Sequence, residues 1–143
     1  FFKAIESAKK VSMSLSDLFC VERHKKYFLD LVKNKLDITF GNEQEFTSLI
    51  NAKKFEEVIS FSKDLKKLII ITRGENGSVA IKGDEVIEIG VKKNINILDL
   101  TGAGDLFAAG FLHGLTNNLS IRDSLEKGTE LSSEIIQKIG ARI

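Results

Sequence analysis

The amino-acid sequence predicts an α/β protein of three-layer α/β/α architecture, with a mostly parallel sheet to which an antiparallel hairpin is added. Two observations predict this fold class. Short apolar segments with the period of strands alternate along the chain with segments whose apolar residues recur at helical spacing. A strand segment also leads directly into a glycine-rich turn and a helix, at Thr101-Gly102-Ala103-Gly104-Asp105. Such alternation is typical of parallel sheets covered by helices.

The first half of the chain carries three predicted strands separated by helices. The strands are predicted over 11–15, 36–40 and 68–72, of which the last, Leu68-Ile69-Ile70-Ile71-Thr72, is the clearest buried strand. Apolar spacing predicts the helices over 22–36, 43–50 and 55–65, and the end of a further helix within 2–10. The first two of these strands are therefore each followed by helical sequence.

The second half begins with a predicted hairpin. Residues 78–82 and 85–89 alternate in polarity around Gly83-Asp84, a pair suited to a two-residue turn. A short strand is expected over 95–98, where it would feed the glycine-rich turn.

Two helices are predicted to complete the chain. In the first, Phe107, Phe111 and Leu115 share one face, and Gly110 and Gly114 would allow close packing. Ser120 and Asp123 form the start signal of the second. Its apolar stripe is expected to comprise Ile121, Leu125, Ile135 and Ile139.

The composition excludes several classes of function. The chain has 143 residues, 43% of them hydrophobic, and 21 basic side chains oppose 20 acidic ones, which gives a net charge of +1. This balance provides no general attraction to nucleic acid or to anionic membranes, so neither is an expected partner. No apolar run is longer than the four residues of 68–71, far fewer than the roughly 20 residues of a membrane span. A cytoplasmic location is expected.

Cysteine and methionine usage adds two expectations. The single cysteine, Cys20, excludes an intrachain disulfide and is expected to be a small core residue. The chain begins with Phe1, and Met13 is its only methionine. We therefore expect it to be a piece of a longer polypeptide.

The glycine turn is the first candidate site. Gly102, Ala103 and Gly104 lie between a predicted strand and a helix, where free N–H groups and the positive helix end favour a phosphate. Asp105 follows in the first helical turn, where a carboxylate could accept a proton from an attacking hydroxyl. The alternative is a tight turn in which Asp105 only favours the helix dipole.

The turn matches neither common nucleotide motif, because it lacks both the Gly-Lys-Ser ending of the Walker loop and the three-glycine spacing of dinucleotide folds. The segment Asp99-Leu100-Thr101-Gly102-Ala103-Gly104-Asp105-Leu106-Phe107-Ala108-Ala109-Gly110-Phe111-Leu112 resembles the second signature of the ribokinase, or pfkB, family of carbohydrate and nucleoside kinases. Leu100 departs from that signature. The resemblance implies a Rossmann-like, ribokinase-like fold, truncated here to residues 1–143, the C-terminal nucleotide-binding and catalytic half.

Other segments resemble the same family. Gly41-Asn42-Glu43-Gln44-Glu45 looks like its Asn-x-x-Glu motif, which implies that Asn42 and Glu45 organise Mg²⁺ and phosphate, largely through water. Asn42 and Glu45 also have the spacing of a helix cap, and we favour both roles together. Thr72-Arg73-Gly74-Glu75-Asn76-Gly77 is similar to the family's segment for nucleotide phosphates and ribose, although by itself it would be a glycine turn.

The resemblance also implies ligand contacts near the glycine turn. Asp99 and Thr101 match residues that help to bind a monovalent cation, K⁺, in the family. Adenine would lie between the last helices, where the asparagine usual after a glycine is replaced by Thr129. Residues 14–24 and Gly140-Ala141-Arg142 resemble the adenosine-kinase-like branch.

Two functional hypotheses follow. In the first, the chain supplies the ATP site, the anion hole (Gly102, Ala103, Gly104) and the base (Asp105) for phosphoryl transfer to a nucleoside, adenosine-like, or to a sugar. The resemblance implies ATP and Mg²⁺ as cofactors. In the second, the chain is a non-catalytic remnant or one module of a split gene. Such a module would need a partner chain carrying the N-terminal half, and a homodimer partner is also open.

Overall fold

The computed structural model describes residues 2 to 141. It contains six α-helices, and their bounds are α1 Phe2–Ser7, α2 Leu18–Asn34, α3 Glu43–Ile50, α4 Phe55–Leu65, α5 Ala103–Thr116 and α6 Ile121–Ile135. The strands are β1 Ser12–Ser14, β2 Ile38–Asn42, β3 Leu68–Thr72, β4 Ser78–Lys82 and β5 Glu85–Ile89. A 3₁₀ turn, Gly74–Asn76, follows β3.

The strands form one five-stranded sheet in the order β1-β2-β3-β4-β5. β1 and β2 pair in parallel, with Met13 opposite Thr39, and α2 makes the crossover between them. β3, β4 and β5 follow one another through short connections, which allow only antiparallel neighbours. The sheet and its helices agree with the predicted fold class.

The chain divides into two compact units, residues 1–71 with 81–86 and residues 72–80 with 87–143. In the first unit, buried side chains from α2, α3 and α4 join the apolar faces of β2 and β3. In the second unit, α5 and α6 pack against each other and bury Phe107, Phe111 and Leu125. No helix within residues 2–141 is long and apolar enough to cross a membrane.

The predicted bounds of α3, α4, β3, β4 and β5 are confirmed, because caps and turn residues mark them. α2 begins four residues before the predicted start, since Asp17 caps it by accepting a hydrogen bond from the Cys20 N–H, and it bends at His24. Cys20 is half-buried rather than part of the core.

Further sequence predictions are wrong. The second strand is Ile38–Asn42 rather than 36–40, because Gly41 continues the strand up to the cap residue of α3. Residues 95–98 form no strand, because the N–H groups of Leu98 and Asp99 donate instead to the Ile136 carbonyl, at 2.8 and 3.2 Å. Ile139 does not continue the stripe of α6, since the helix ends at Ile135 and Ile139 is 87% exposed. Arg142, part of a predicted motif, lies outside the described residues.

Glycines set the distance between α5 and α6. A Cβ at Gly110 would lie 2.6 Å from the Lys127 carbonyl oxygen, and one at Gly128 would lie 2.7 Å from the Phe107 carbonyl oxygen. A Cβ at Gly114 would lie 2.8 Å from Ser124 Oγ. The two backbones therefore approach more closely than side chains would permit, as the sequence predicted for Gly110 and Gly114.

We predict that Gly110→Ala lowers the free energy of unfolding by about 2 kcal/mol, because overpacking outweighs the helix propensity that alanine gains. Gly90→Ala is the matched control, since a Cβ there meets nothing within 4 Å. Urea denaturation of both variants measures the difference. A Gly110→Ala protein as stable as Gly90→Ala would contradict the close approach.

Candidate nucleotide site

The second unit contains a cavity of about 430 Å³. Four segments of that unit line it, namely the loop after β3, the segment 91–100, the start of α5 and one face of α6. The lining residues are Thr72, Gly74, Glu75, Gly77, Val91, Lys92, Ile95, Ile97, Leu100, Ala103, Gly104, Phe107, Thr129, Ser132, Ser133 and Ile136. The structure thus brings together six residues that the sequence predicted for nucleotide contact, Thr72, Gly74, Gly77, Ala103, Gly104 and Thr129.

The glycine turn presents an uncapped helix N-terminus to this cavity. Gly102 occupies the N-cap of α5 with φ 81° and ψ −2°, and no side chain caps the helix. A Cβ at Gly102 would lie 3.0 Å from the Ala141 Cβ, so both the backbone conformation and the space require glycine. A Cβ at Gly104 meets nothing within 4 Å, so the space beside its amide is open.

First-turn amides lack intrahelical acceptors and lie at the positive end of the helix dipole. In α5 this applies to the N–H groups of Gly104 and Asp105, whereas the Ala103 N–H donates to the Leu100 carbonyl at 3.2 Å. An anion such as a phosphate is the ligand that such groups favour.

Asp105 has a carboxylate without a structural role in the described chain. It is exposed and lies in the first turn of α5, at the third helical position. Asp123 holds the same position in α6, where it accepts a hydrogen bond from the Ser120 hydroxyl at 2.6 Å and donates one through its N–H to Ser120. Within residues 2–141 Asp105 has no comparable partner. Its side chain is therefore available for chemistry.

Asp99 joins the turn that precedes α5 to residue 140, near the end of the second unit. One carboxylate oxygen accepts hydrogen bonds from the N–H and hydroxyl of Thr101, at 2.9 and 2.7 Å. The other accepts from the Gly140 N–H at 2.9 Å. These bonds, from the Thr101 N–H first, hold the pKa of Asp99 below its usual range, so the side chain is anionic at neutral pH.

The loop after β3 is a tight glycine turn. Gly77 has φ 81°, and a Cβ there would collide with the Ile89 carbonyl. The Arg73 N–H donates to the Gly77 carbonyl at 2.8 Å and closes the loop. Arg73 is half-buried and does not line the cavity, so its predicted contact with a nucleotide stays a prediction.

The first unit contains the Asn42 and Glu45 pair as a complete capping box. The Glu45 N–H donates to Asn42 Oδ1, and the Asn42 N–H and Nδ2 donate to the two Glu45 carboxylate oxygens, each at 2.8 Å. Glu45 is only 4% exposed, and burial raises its pKa, an effect that the hydrogen bond from the Asn42 N–H opposes. The predicted cap is confirmed.

The side-chain oxygen atoms of Asn42 and Glu45 meet only some of the requirements of a Mg²⁺ site. Carboxylate and amide oxygens are the donors that Mg²⁺ prefers, but it usually keeps several waters. Both Glu45 oxygens already accept hydrogen bonds from Asn42, and no cluster of three or more acidic, His or Cys side chains occurs among the described residues. Asn42 and Glu45 therefore fit a cation held through water, and not one coordinated directly by a protein cage.

Sequence reasoning missed part of the cavity wall. Ser132 and Ser133 line it beside Thr129, and Glu75 and Lys92 are its charged members. Helical spacing from Thr129 is the one signal that pointed to the serines, since i+3 and i+4 share its face. Lys92 had no signal, because it lies in a segment that the sequence assigned to a loop.

An open α/β sheet, with an uncapped glycine turn beside a largely apolar cavity, defines an α/β protein with a candidate anion and ligand site. The family model for pfkB family carbohydrate kinases matches residues 1–143. The chain therefore belongs to the pfkB family, as its signature indicated.

Known proteins support this membership. The chain is 36% identical to a ribokinase from Lactococcus lactis over 107 residues, which are 75% of this chain and 34% of that protein. A probable sugar kinase from Rhizobium etli superposes with a TM-score of 0.91 and 40% identity, over 97% of this chain and 42% of the other. The adenosine kinase from Sinorhizobium meliloti superposes with a TM-score of 0.90 and 36% identity, over 94% of this chain and 41% of the other. These similarities confirm the ribokinase-like fold.

The chain spans less than half the length of these relatives. This chain is 30% identical over 139 residues to a cytidine kinase from Thermococcus kodakarensis, and it covers 49% of the length of that protein. Every residue of the cavity and of the capping box lies within the part that this chain shares with the family.

We predict that Asp99→Asn lowers the thermal midpoint at pH 7. Asparagine has only one side-chain oxygen, so its NH₂ group replaces the second acceptor and the hydrogen bond from the Gly140 N–H is lost. Because the pKa of Asp99 is lower in the folded chain than in the unfolded chain, where it is about 3.9, the ionised side chain stabilises the fold above that pH. This stabilisation is lost as the pH falls from about 3.9 through the lower pKa of the folded chain. The difference from the unsubstituted protein should therefore shrink below that pH. Asp84→Asn, in the exposed turn between β4 and β5, is the control, and an equal effect there would contradict the role of Asp99.

Proposed function

We propose that this chain provides the ATP site and catalytic base of an enzyme that transfers a phosphoryl group to a hydroxyl of a nucleoside, adenosine-like, or of a sugar. The observation that carries the proposal is the junction of an uncapped glycine turn with a largely apolar cavity, together with the Asp105 carboxylate, which has no partner among residues 2–141. The aromatic base of a nucleotide fits an apolar cavity, and the phosphate groups of the nucleotide fit the N-terminus of a helix.

The glycine turn acts on the transferred phosphoryl group. The N–H groups of Gly102 and Gly104 would surround an anion whose charge spreads over the equatorial oxygens in the transition state, and the Ala103 N–H would join them by giving up its bond to the Leu100 carbonyl. Fixed N–H dipoles stabilise such charge without reorganisation, and this is the largest contribution in many enzymes. Thr72, Gly74 and Gly77 position the nucleotide from the opposite loop, and Arg73 adds a cation near the phosphates.

Asp105 is the general base. Its carboxylate accepts the proton of the acceptor hydroxyl as that oxygen attacks the γ-phosphorus, while the bond from phosphorus to the β–γ bridging oxygen breaks and ADP leaves. Three properties support the role, namely its place at the anion-binding turn, its exposure and the absence of a capping partner within residues 2–141. Asp123, at the same position of α6, does have a capping partner, because it accepts a hydrogen bond from the Ser120 hydroxyl.

Two cations complete the proposed site. Mg²⁺ would arrive with the nucleotide and neutralise charge on its phosphates, and Asn42 and Glu45 would hold its water shell. Their capping box presents an oriented carboxylate with spare lone pairs, which supports this assignment. The anionic Asp99, with Thr101, would hold a K⁺ ion beside the glycine turn.

The acceptor is proposed from the relatives and the sequence. A solved adenosine kinase at 36% identity and a cytidine kinase at 30% support a nucleoside, whereas a ribokinase at 36% supports a sugar. Residues 14–24 favour the adenosine-like choice. Competition for ATP turnover between adenosine and ribose, in the protein expressed at its full natural length, decides between the two.

A nucleotide-binding module without activity of its own is the second candidate, favoured because the chain covers 34% to 49% of its curated relatives. Calorimetric titration of the chain with ATP and Mg²⁺ tests the binding. Adding a separately expressed N-terminal half, from the same protein or a relative, tests the activity. Turnover in the reconstituted pair supports the enzyme, and binding without turnover supports the module.

We predict that Asp105→Asn, in the protein at its full natural length, leaves ATP affinity nearly intact and lowers kcat by about 10²-fold or more, the range for loss of a general base. Asp123→Asn is the matched control, since it removes the same charge from the same helical position in α6. Steady-state kinetics and ATP titration give both quantities. Ordinary turnover in Asp105→Asn would exclude this residue as the base.

A further inference from the structure

Three hydroxyl groups line one wall of the cavity. Thr129, Ser132 and Ser133 lie on a single face of α6, as their i, i+3 and i+4 spacing requires, and all three border the cavity. Ser133 is only 6% exposed, and Thr129 and Ser132 are half-buried. Within the described chain none of the three hydroxyls makes a hydrogen bond. They are thus polar groups that a ligand can use.

The remaining wall is mostly apolar. Its apolar side chains are Val91, Ile95, Ile97, Leu100, Phe107 and Ile136. Of the described residues that line the cavity, none is Asn, Gln or His. The two charged ones, Glu75 and Lys92, are exposed, so water competes for any bond that they make to a ligand. The protected polar side chains of the wall are therefore hydroxyl groups, namely the three of α6 and that of the half-buried Thr72 at the end of β3.

Hydroxyl groups read a base differently from amides or carboxylates. A Ser or Thr hydroxyl has one rotatable donor and two lone pairs, so it can turn to donate or to accept. Adenine offers an amino donor at the position where guanine offers a carbonyl acceptor. An amide or carboxylate in a fixed place would reject one of the two bases, whereas a rotating hydroxyl accommodates either. Apolar walls also discriminate weakly between ligands of similar shape.

We infer that this cavity is a purine site that does not distinguish adenine from guanine, so that GTP as well as ATP serves as phosphoryl donor. The inference rests on the proposed function, because it assigns the cavity to the base of the nucleotide. It concerns the donor and leaves the identity of the acceptor open.

Equilibrium binding of ATP and of GTP to the chain, each with excess Mg²⁺, tests the inference. We expect the two dissociation constants to agree within about tenfold, which is the effect of one or two ordinary hydrogen bonds. A larger preference for either nucleotide would overturn the inference and leave the proposed function standing. If neither nucleotide binds, the proposed function itself fails.

Substitutions on α6 test which groups contact the base. Ser133→Ala and Thr129→Val should each weaken ATP and GTP by the same factor, about two- to tenfold, with the thermal midpoint kept. Ser124→Ala is the matched control, because it removes a buried hydroxyl without a partner from the same helix at a position outside the cavity, and it should leave both affinities unchanged. Loss of affinity for only one nucleotide in Ser133→Ala would show a fixed donor or acceptor, and would overturn the inference.

Discussion

The candidate site depends on the close approach of α5 and α6. Three glycines remove the side chains that would otherwise separate the helices, and Gly128 lies against the Phe107 backbone. Phe107 and Thr129, which adjoin that contact, both line the cavity. A wider spacing would move the hydroxyl face of α6 away from the glycine turn that opens α5. Helix packing in this unit is therefore also a constraint on the dimensions of the binding site.

A second constraint acts through charge. Asp99 accepts three hydrogen bonds, from Thr101 twice and from Gly140, and these bonds favour its ionised form. The Asp99 carboxylate is thus neutralised by donors of its own, so it does not take up the unbonded first-turn N–H groups of α5. Glu45 shows the opposite balance, since burial raises its pKa although Asn42 donates to both of its oxygens.

The sequence predicted the elements whose ends carry a recognisable cap or turn residue. Asn42 caps α3, and Gly83-Asp84 closes the hairpin, so the predicted bounds of α3, β4 and β5 agree with the structure. β2, by contrast, runs to Asn42 and not to residue 40, because Gly41 continues the strand. The predicted strand at 95–98 was wrong because alternating apolar residues suit a cavity wall as well as a sheet, and Ile95 and Ile97 belong to the cavity. Ser132 and Ser133 escaped prediction because serine at a helical position has no motif. The bond from Gly140 to Asp99 joins residues 41 positions apart, and no local pattern reveals such a pair.

That bond also affects the order in which the site can form during synthesis. The glycine turn leaves the ribosome before residues 136–140, which provide the Ile136 carbonyl and the Gly140 N–H that hold its preceding segment. A nascent chain that already contains the whole signature still lacks these partners. The bonds that hold the segment before the glycine turn can therefore form only after residues 136–140 have been synthesised, and these residues contribute backbone groups to them.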